Sequence, residues 1–269
     1  QKLSINYDFE WIFTDRKSFD ISNLDNISIY LNKYRPDLII NCAAYTCVDS
    51  AEDDFENVNL VNHSAVKIIA KWSFQNKCKL IHFSSDYVYD GNSRTPYKED
   101  DKMYPLNNYG KTKLLADIAC KKYNPNSIII RTSWLYSSSG NNFLTKMINA
   151  MRGKDEINVV NDQFSSPTYA ADLANIVLFL IKNKKWNSGL YNYTNIGNIS
   201  RYDFAKEIKF ICGFSTIIKP IPSKDYFQKA PRPQYSFLDN SKIINTFKLK
   251  QINYLDSLKE CIKIIQNES

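Results

Sequence analysis

Two spacings of apolar residues alternate along the first half of the chain. Four short continuous apolar runs have the length of buried strands, at 11–14, 37–41, 79–83 and 127–131. Between them, apolar residues at helical spacing predict three helices, at 21–34, 57–74 and 108–123. Continuous apolar strands that alternate with amphipathic helices are typical of a parallel sheet with helices on both faces. The pattern therefore predicts a doubly wound α/β fold.

The second half of the chain is less regular. It contains one strand-like run, at 190–193, and four stretches with helical apolar spacing, at 143–151, 170–182, 201–212 and 255–265. A rigid loop, 230–233, separates the last two of these helices. We predict that this half forms a smaller α/β lobe over the carboxyl edge of the parallel sheet, where α/β folds bind their ligands.

A glycine-rich turn is the feature of this fold class that the sequence lacks. Dinucleotide-binding sheets open with a strand and such a turn, whereas this chain has only seven glycines and the first is Gly91. A doubly wound sheet without its first strand would lack its centre. We therefore expect roughly 20 residues, enough for a strand, the turn and part of a helix, to precede Gln1 in the complete protein.

The chain of 269 residues carries a formal net charge of +7. A basic surface could attract nucleic acid or an anionic small molecule. The alternative is a lysine-rich composition without functional meaning, which we favour because no arginine–lysine stripe and no aromatic RNA-binding motif is visible. No apolar run approaches the roughly 20 residues that span a bilayer. We therefore predict neither nucleic-acid nor membrane partners.

The cysteine and histidine residues limit the kinds of metal site and acid–base group that the chain can contain. The six cysteines form no C-x-x-C pair and the only histidines are His63 and His82, so a zinc site is not expected. Scattered cysteines in a chain of this size are typical of reduced thiols in the cytoplasm. Acid–base chemistry near neutral pH must then depend on tyrosine, lysine or carboxylate groups.

Three residues form a candidate catalytic set for ketone reduction. Ser85 follows the predicted strand 79–83, and Tyr109 and Lys113 are four residues apart, so they share one face of a helix. Tyr109 would protonate the oxygen as hydride arrives from a cofactor, while Ser85 would hydrogen-bond that oxygen. The Lys113 ammonium is expected to lower the tyrosine pKa from its usual value of about 10 and to bind the cofactor ribose.

A Tyr-x-x-x-Lys pair alone is a weak signal in a chain rich in both residues, but several motifs occur in a specific order. They are Asn41-Cys42-Ala43-Ala44-Tyr45-Thr46 with Val48-Asp49, Ser84 through Gly91, Tyr109 through Lys113, Arg131 through Tyr136, Gly140 through Phe143, Asn161-Asp162-Gln163 through Pro167-Thr168, and Arg232-Pro233. In all of them the chain resembles the dTDP-4-dehydrorhamnose reductases, a family of extended short-chain dehydrogenases. The resemblance implies a Rossmann fold, a nicotinamide cofactor and a nucleotide-sugar substrate whose 4-keto group is reduced.

The resemblance also implies roles for the matching positions. Ser85, Tyr109 and Lys113 match the catalytic triad, with serine where many members have threonine. The positions that match substrate contacts are Ser85, Asp86, Trp134, Asn142 and Arg232. Those that match the cofactor site are Asp20, Ile21, Ala43, Ala44, Tyr45, Thr46 and Asn62, together with Tyr109 and Lys113.

The residues after the predicted strand 11–14 bear on the choice of cofactor. An acidic residue at this point binds the ribose hydroxyls of NAD, and a basic residue accepts the 2′-phosphate of NADP. Asp15 and Arg16 are both present. We therefore add them to the predicted cofactor site and expect NADPH, with NADH as the second candidate.

Four of the assigned residues also have a purely structural interpretation. Trp134 could belong to the core, Asp86 could cap a helix or turn, and Asp20 could be the N-cap of the next helix. Asn62 could do no more than cap a backbone group. The sequence alone leaves these alternatives open.

Domain boundaries and assembly follow from the same resemblance. We predict an NAD(P)-binding Rossmann domain at 1–139, with 166–194 packing back on it, and a substrate-binding lobe at 195–269, with 140–165 contributing. Some family members place a glutamate that binds Mg²⁺ shortly after a Pro-Thr pair, and this chain has none after Thr168. We therefore predict no metal site and a monomer or weak homodimer.

Three other functions compete with the reductase. Related nucleotide-sugar dehydratases carry Asp-Glu after the serine or threonine, whereas this chain has Asp86-Tyr87, which argues against dehydration. A 4-epimerase or another nucleotide-sugar 4-ketoreductase fits the extended match less well. A non-catalytic, NADP-binding regulatory subunit of methionine adenosyltransferase also resembles the family, but the intact Ser85, Tyr109 and Lys113 favour an enzyme.

Overall fold

The computed structural model describes residues 9–183 and 185–267. Ten strands lie in these residues: β1 (Leu38–Asn41), β2 (Lys79–Ser85), β3 (Ile128–Thr132), β4 (Leu135–Tyr136), β5 (Glu156–Val160), β6 (Phe164–Ser165), β7 (Thr168–Tyr169), β8 (Gly189–Asn192), β9 (Ile199–Ser200) and β10 (Ile217–Ile221). The same residues contain nine α-helices: α1 (Leu24–Tyr34), α2 (Phe55–Asn59), α3 (Ala65–Gln75), α4 (Asn108–Tyr123), α5 (Phe143–Gly153), α6 (Ala170–Lys182), α7 (Arg201–Cys212), α8 (Ser241–Phe247) and α9 (Tyr254–Asn267).

Four strands form the parallel sheet of the first lobe, in the order β1-β2-β3-β8. One face of the sheet packs against α1, α3 and α4, where Leu80 and Ile129 are buried. The other face packs against α6 and α8 and buries Ile128 and Ile130. Because both faces are covered, the strands are continuous apolar runs rather than alternating ones. This architecture confirms the predicted doubly wound α/β fold.

The second lobe has its own core, built on α5, α7 and α9. Tyr136 and Phe204 are among its fully buried side chains, and their ring centroids are 5.6 Å apart. The parallel pair of β5 and β10 packs against α7. A short parallel pair of β4 and β7 joins the segment after β3 to the segment before α6. The chain at the end of β3 is therefore fixed between the two cores.

Residues 11–14, predicted as a strand, do not form one in the structure. In the described part of the chain, β1 pairs only with β2, and no strand lies along its other edge. Ile12 and Phe13 are largely exposed. Extended backbone forms a strand only where a neighbour satisfies its polar groups, and the apolar run alone could not reveal whether such a neighbour is present.

The predicted helices of the first half agree with the structure except in two details. The helix predicted at 21–34 begins at Leu24, and the helix predicted at 57–74 is broken into α2 and α3 by a π-helical turn at 60–64. The helix predicted at 108–123 is confirmed at both ends. A π-helical turn is a rare irregularity of a single turn inside a helix, which is too short for the apolar periodicity to reveal.

In the second half the long helices are confirmed, and the short elements are the ones that the sequence missed. The helices at 170–182 and 201–212 have the predicted bounds. The missed elements are β4, β5, β6, β7, β9, β10 and α8. Most of these strands have only two residues, which is too short for an apolar period. In β10, Pro220 is a residue that argues against a strand unless the strand lies at an edge.

Helix α8 departs from the predicted lobe boundary. It lies within 195–269, which we assigned to the substrate-binding lobe, but Ile243 and Phe247 pack in the core of the first lobe. The ring of Phe247 lies 5.2 Å from that of Tyr191, on β8. The chain therefore returns to the first lobe before α9, and the rest of the predicted domain division stays a prediction.

Candidate active site

The turn that follows β2 forms the first part of the site. Ser85 ends the strand, and its Oγ accepts a hydrogen bond from the Tyr87 backbone N–H at 3.2 Å, so it caps the 3₁₀ turn at 86–88. The same hydroxyl donates to Asp86 Oδ1 at 3.0 Å. These two hydrogen bonds hold the Ser85 hydroxyl at the carboxyl edge of the sheet.

The Asp86 carboxyl group is buried, and only 2% of the residue is exposed. Ser85 Oγ donates to its Oδ1, and Ser236 Oγ donates to its Oδ2 at 2.5 Å. Burial nevertheless raises the pKa of Asp86 from 3.8 to about 6, because the carboxylate loses its hydration. Its side chain caps neither a helix nor a turn, so the structural interpretation given for Asp86 is wrong.

The start of α4 forms the second part of the site. Asn107 is the N-cap of this helix and accepts a hydrogen bond from the Gly110 N–H at 2.8 Å. Lys113 lies one turn after Tyr109 and is 3% exposed. Its Nζ donates to the backbone carbonyl of Phe83, on β2, at 2.6 Å. The helix is thereby held against the end of the strand that carries Ser85.

Tyr109 lies against Tyr87, with ring centroids 5.7 Å apart and an angle of 80° between the ring planes. Burial raises the pKa of Tyr109, and a hydrogen bond with Ser85 lowers it in part. The predicted lowering of the Tyr109 pKa by Lys113 is not found, because Lys113 makes no contribution to it beside the effect of burial. Burial also lowers the pKa of Lys113 to about 8. Because the pKa of Tyr109 is raised, its phenol is protonated at neutral pH, which is the state that a proton donor needs.

Gly110 allows α4 to approach the turn after β2. A Cβ at this position would lie 2.2 Å from the backbone oxygen of Tyr87 and 3.1 Å from the Cβ of Pro105. Neither the carbonyl nor the helix could move without displacing Tyr109. Glycine is thus required here by close backbone packing.

A buried ion pair lies further along the face of α4 that carries Tyr109 and Lys113. Arg131 Nε is 2.9 Å from Asp117 Oδ2, and the two side chains are 0% and 2% exposed. Arg131 also donates to Tyr89 OH at 2.7 Å and to the Glu99 carbonyl at 3.2 Å. Asp117 lies one turn after Lys113, so the pair joins α4 to β3 and to the loop that follows Tyr89.

The segment predicted to line the cofactor follows β1. The side chains of Ala43 and Thr46 are exposed, and those of Ala44 and Tyr45 are half-buried. Asn41, the last residue of β1, accepts a hydrogen bond from the Ala43 N–H on its Oδ1 at 3.2 Å. The segment therefore presents an open surface at the carboxyl edge of the sheet.

Asn62 fixes the middle of that segment. Its Oδ1 accepts from the Tyr45 N–H at 2.8 Å, and its Nδ2 donates to the Tyr45 carbonyl at 3.1 Å and to Thr112 Oγ1 at 3.2 Å. Asn62 thus caps a backbone group, as the structural interpretation states, and that group belongs to the predicted cofactor surface. It lies in the π-helical turn at 60–64, an irregularity that is frequent at functional sites.

The acidic and basic residues predicted to select the cofactor lie in an exposed turn before α1. Asp15 Oδ1 accepts from the backbone N–H of Ser18 at 2.8 Å, which lowers the pKa of Asp15. Arg16 Nε lies 3.3 Å from Asp20 Oδ2, and the side chain of Arg16 is 87% exposed. An exposed ion pair such as that of Arg16 and Asp20 contributes little to stability. The Arg16 guanidinium is therefore available to a ligand.

Asp20 and Ile21, predicted to contact the adenine, have local roles in the structure. Asp20 Oδ1 accepts from the Ser22 N–H at 2.9 Å, whereas the N-cap of α1 is Asn23. The interpretation of Asp20 as the N-cap is therefore wrong. Ile21 is buried in the core of the first lobe beside α1. Adenine contact by either residue stays a prediction.

Trp134 follows β3 and faces the second lobe. It is half-buried and has a φ of 41°, in the left-handed region that bulky residues rarely adopt. Its backbone oxygen accepts from the Thr168 N–H at 3.2 Å, which holds this conformation. The indole packs at the edge of the second core, so the core interpretation is partly right. Strained backbone of this kind is frequent at ligand sites.

Asn142, predicted to contact substrate, is the N-cap of α5. Its Oδ1 accepts from the Thr145 N–H at 3.2 Å, and the Thr145 hydroxyl accepts from the Asn142 N–H, which completes a capping box. Its Nδ2 donates to the carbonyls of Ser137 and Ser139. These contacts use the side chain of Asn142 for local structure, and a substrate contact stays a prediction.

Arg232, also predicted to contact substrate, forms a bidentate ion pair with Asp49. Nη2 donates to Asp49 Oδ2 at 2.7 Å and Nη1 to Oδ1 at 2.5 Å. This pairing lowers the pKa of Asp49 to about 2. Next to it, Lys229 pairs with Asp53, and Asn107 donates to the carbonyl of Pro231 at 2.8 Å. The loop at 229–232 is thereby attached to the first lobe beside the start of α4.

Two site residues were not found from the sequence. Ser236 donates to Asp86 from a loop near the end of the chain, and no local motif marks it. Arg201 begins α7, and its guanidinium carbon lies 4.2 Å from the ring centroid of Trp134. Both residues come from segments far along the chain from their partners, so only the fold brings them to the site.

Two kinds of feature are absent from the described residues. No group of three or more histidine, cysteine, aspartate or glutamate side chains in residues 9–183 and 185–267 could hold a metal ion. None of the helices in this part of the chain is long and apolar enough to cross a bilayer. The site as described therefore consists of hydroxyl, amine, guanidinium and carboxyl groups of the chain.

Comparison with known proteins finds relatives over the whole chain. The family model described as RmlD substrate binding domain matches residues 1–267. A dTDP-4-dehydrorhamnose reductase of Escherichia coli (strain K12) is 36% identical over 239 residues, which cover 86% of this chain and 80% of that protein. Among solved structures, a dTDP-4-dehydrorhamnose reductase from Clostridium acetobutylicum ATCC 824 has a TM-score of 0.94 and 36% identity, covering 98% of this chain and 94% of that one. One from Bacillus anthracis str. Ames, in complex with NADP, has a TM-score of 0.92 and 31% identity with the same coverage, 98% and 94%.

Proposed function

This chain belongs to the RmlD substrate binding domain family, and on that premise we propose that it reduces the 4-keto group of dTDP-4-dehydro-L-rhamnose to give dTDP-L-rhamnose, a precursor of cell-surface polysaccharide. The proposed reductant is NADPH, with NADH as the second candidate. The observation that carries the proposal is the arrangement of Ser85, Tyr109 and Lys113 at the carboxyl edge of a doubly wound sheet. The named activity of the relatives supports it.

The residues at this edge fit a nicotinamide dinucleotide. Among the described residues, Lys113 Nζ has one hydrogen bond, to Phe83, and an ammonium carries three donors, so two remain for ribose hydroxyls. Ala43 and Thr46 are exposed beside it, and Asn62 fixes the backbone between them. When bound, the reduced cofactor supplies the hydride. We assign Asp15 and Arg16 to its adenosine end.

Tyr109 is the proton donor of the proposed reaction. Its raised pKa keeps the phenol protonated at neutral pH, so it can protonate the carbonyl oxygen as negative charge develops there. Ser85, which hydrogen-bonds with Tyr109, holds the substrate oxygen beside the phenol. The Lys113 ammonium, one turn along α4, stabilises the phenolate that remains after proton transfer.

Two of the competing functions, dehydration and a regulatory role, lack a supporting observation of this kind. Dehydration needs a second acid–base pair, and the position after Asp86 holds Tyr87, a buried side chain whose pKa burial raises. A regulatory subunit would not need a protonated tyrosine beside a serine hydroxyl and a buried lysine. We therefore propose an oxidoreductase, and we place it in the cytoplasm as a monomer or weak homodimer.

The test is oxidation of NADPH by the full-length protein with dTDP-4-dehydro-L-rhamnose, followed by the absorbance of the cofactor. We expect Tyr109→Phe to lower kcat by roughly 10²–10⁴-fold, the range of a lost general acid, with unchanged NADPH affinity. The matched control is Tyr104→Phe, because Tyr104 is 65% exposed nearby. A parent protein that binds NADPH but oxidises none of it would contradict the function. A Tyr109→Phe variant with the parent kcat would contradict the assigned donor.

A further inference from the structure

Arg201 stands at the junction of the two lobes, at the first residue of α7. Ser200 caps this helix by accepting from the Asp203 N–H, and the Arg201 N–H donates to the Gln163 carbonyl at 3.2 Å. The guanidinium carbon lies 4.2 Å from the ring centroid of Trp134 and 5.2 Å from that of Phe143. Two aromatic rings thus fix the position of this planar cation.

The charge of Arg201 acts on the candidate active site. It lowers the pKa of both Asp86 and Tyr87 against the opposite effect of burial. Yet no carboxylate of the described residues lies within ion-pair distance of its guanidinium, and Asp203 on the same helix pairs with Lys206 instead. Arg201 is half-buried, so its charge is neither paired nor fully hydrated.

Arg232 offers a direct contrast. Its guanidinium is occupied by both carboxylate oxygens of Asp49, and its side chain is 13% exposed. The sequence motif predicts a substrate contact for Arg232, but in the structure its guanidinium is paired with Asp49. Arg232 also acts on Tyr87. Arg201 acts on both Asp86 and Tyr87 and shares a hydrogen bond with Tyr87, but it pairs with no carboxylate of the described residues. Most of its five N–H donors therefore remain open to a ligand. A planar fork of donors matches the oxygens of a phosphate group.

We propose that Arg201 binds the diphosphate of the nucleotide-sugar substrate and is a substrate-binding residue of the second lobe. This inference rests on the proposed function for the class of substrate. The stack on Trp134 and Phe143 pre-orients the guanidinium, so little side-chain freedom is lost when the diphosphate binds. The same contact would place the charged end of the substrate against α7 while its sugar faces Ser85 and Tyr109.

The experiment measures the Kd of dTDP and of thymidine for the full-length protein saturated with NADP⁺, by calorimetry. We expect Arg201→Met to weaken dTDP binding by roughly 10- to 100-fold, because charge-assisted hydrogen bonds are lost. Arg201→Lys keeps the positive charge but not the planar arrangement of donors, so its affinity for dTDP should lie between those of the parent and Arg201→Met. Thymidine carries no phosphate, and its affinity should not change. The matched control is Arg152→Met, at the exposed far end of α5.

The proposal is overturned if Arg201→Met, folded and still binding NADP⁺, binds dTDP as tightly as the parent. It is also overturned if thymidine affinity falls as much as dTDP affinity, because the residue would then shape the pocket rather than bind phosphate. Failure of the proposed reduction has a different signature. In that case the parent would bind dTDP and Arg201→Met would weaken that binding, but the parent would not oxidise NADPH. A parent that does not bind dTDP would overturn both proposals.

Discussion

The two halves of the candidate active site are built differently. In the first lobe, Ser85, Asp86 and Lys113 are each less than a tenth exposed and are held by β2 and α4. In the second half, Trp134 and Arg201 are half-buried and lie where segments after β3 and before α7 meet. The comparison indicates that the groups packed around the half-buried Tyr109 are fixed within the first lobe. The positions of Trp134 and Arg201 depend instead on how the two lobes pack together.

Two arginine–aspartate pairs show the same contrast in energetic terms. The pair of Arg131 and Asp117 joins β3 to α4, with both side chains almost fully buried. The pair of Arg232 and Asp49 joins the loop of the second half to the first lobe, and its side chains are 13% and 49% exposed. A buried charge that loses its partner is strongly destabilising, whereas an exposed one regains water.

The largest effect that we predict comes from the buried pair. Arg131→Met leaves the Asp117 carboxylate buried without a partner, so the free energy of unfolding should fall by about 3–5 kcal/mol. The matched variant Arg232→Met should lower it by about 1 kcal/mol or less, because Asp49 is half-exposed. Urea unfolding of both variants measures the difference. Equal losses would contradict the distinction between the two halves.

A second prediction concerns the packing that positions Tyr109. Gly110→Ala would bring a Cβ to 2.2 Å from the Tyr87 carbonyl oxygen, so the helix start must shift. We expect a loss of about 1–3 kcal/mol in stability, as for an overpacked site, together with a lower kcat. Thermal unfolding and NADPH oxidation measure both effects.

The control for this variant is Gly153→Ala, at the end of α5. A Cβ at Gly153 would meet no atom within 4 Å, so stability should stay the same or rise by about 0.4–1 kcal/mol. If Gly110→Ala behaves like Gly153→Ala, then the close approach of α4 to the turn after β2 does not constrain Tyr109.

A third prediction depends on pH. The folded-state pKa of Asp86 is raised from 3.8 to about 6, so its contribution to stability is fully present below 3.8 and is lost as the pH rises through about 6. Asp86→Asn removes this dependence. The variant should therefore gain stability relative to the parent as the pH rises, by about 2–3 kcal/mol, since one pKa unit corresponds to about 1.4 kcal/mol.

Asp90→Asn provides a control of opposite sign. The Tyr97 hydroxyl donates to the Asp90 carboxylate and lowers its pKa, so Asp90 contributes stability above its unfolded pKa and loses it as the pH falls. Replacement by asparagine should lose stability relative to the parent as the pH rises. Unfolding midpoints at several pH values measure both variants, and the same sign for the two would contradict the burial of an ionisable Asp86.

The difference between the two halves also explains how much of the site could be predicted. Ser85, Tyr109 and Lys113 are marked by local patterns, namely the end of an apolar strand and a four-residue spacing on a helix. The fold class followed in the same way from apolar runs. Arg201 and Ser236 carry no local signal, because their role depends on the lobes coming together.

One interpretation failed for a physical reason, and one residue has a local role that its spacing could have revealed. The expected lowering of the Tyr109 pKa by Lys113 is not found, because burial raises this pKa and Lys113 contributes nothing that offsets it. Asn142 precedes a predicted helix, and Thr145 follows three residues later, so the sequence did contain the signal of a capping residue. The pKa of a side chain depends on its surroundings in the folded protein, whereas a helix cap can be predicted from the spacing of residues in the sequence.

The most direct test of the central claim follows the hydrogen that is transferred. The full-length protein would be given NADPH deuterated at the nicotinamide C4 and dTDP-4-dehydro-L-rhamnose, and the sugar product would be analysed by NMR. We predict deuterium at C4 of a rhamnose product, with formation of that product strongly slowed in Tyr109→Phe. Deuterium at any other carbon, or no reduced sugar from a protein that binds NADPH, would contradict 4-keto reduction at this site.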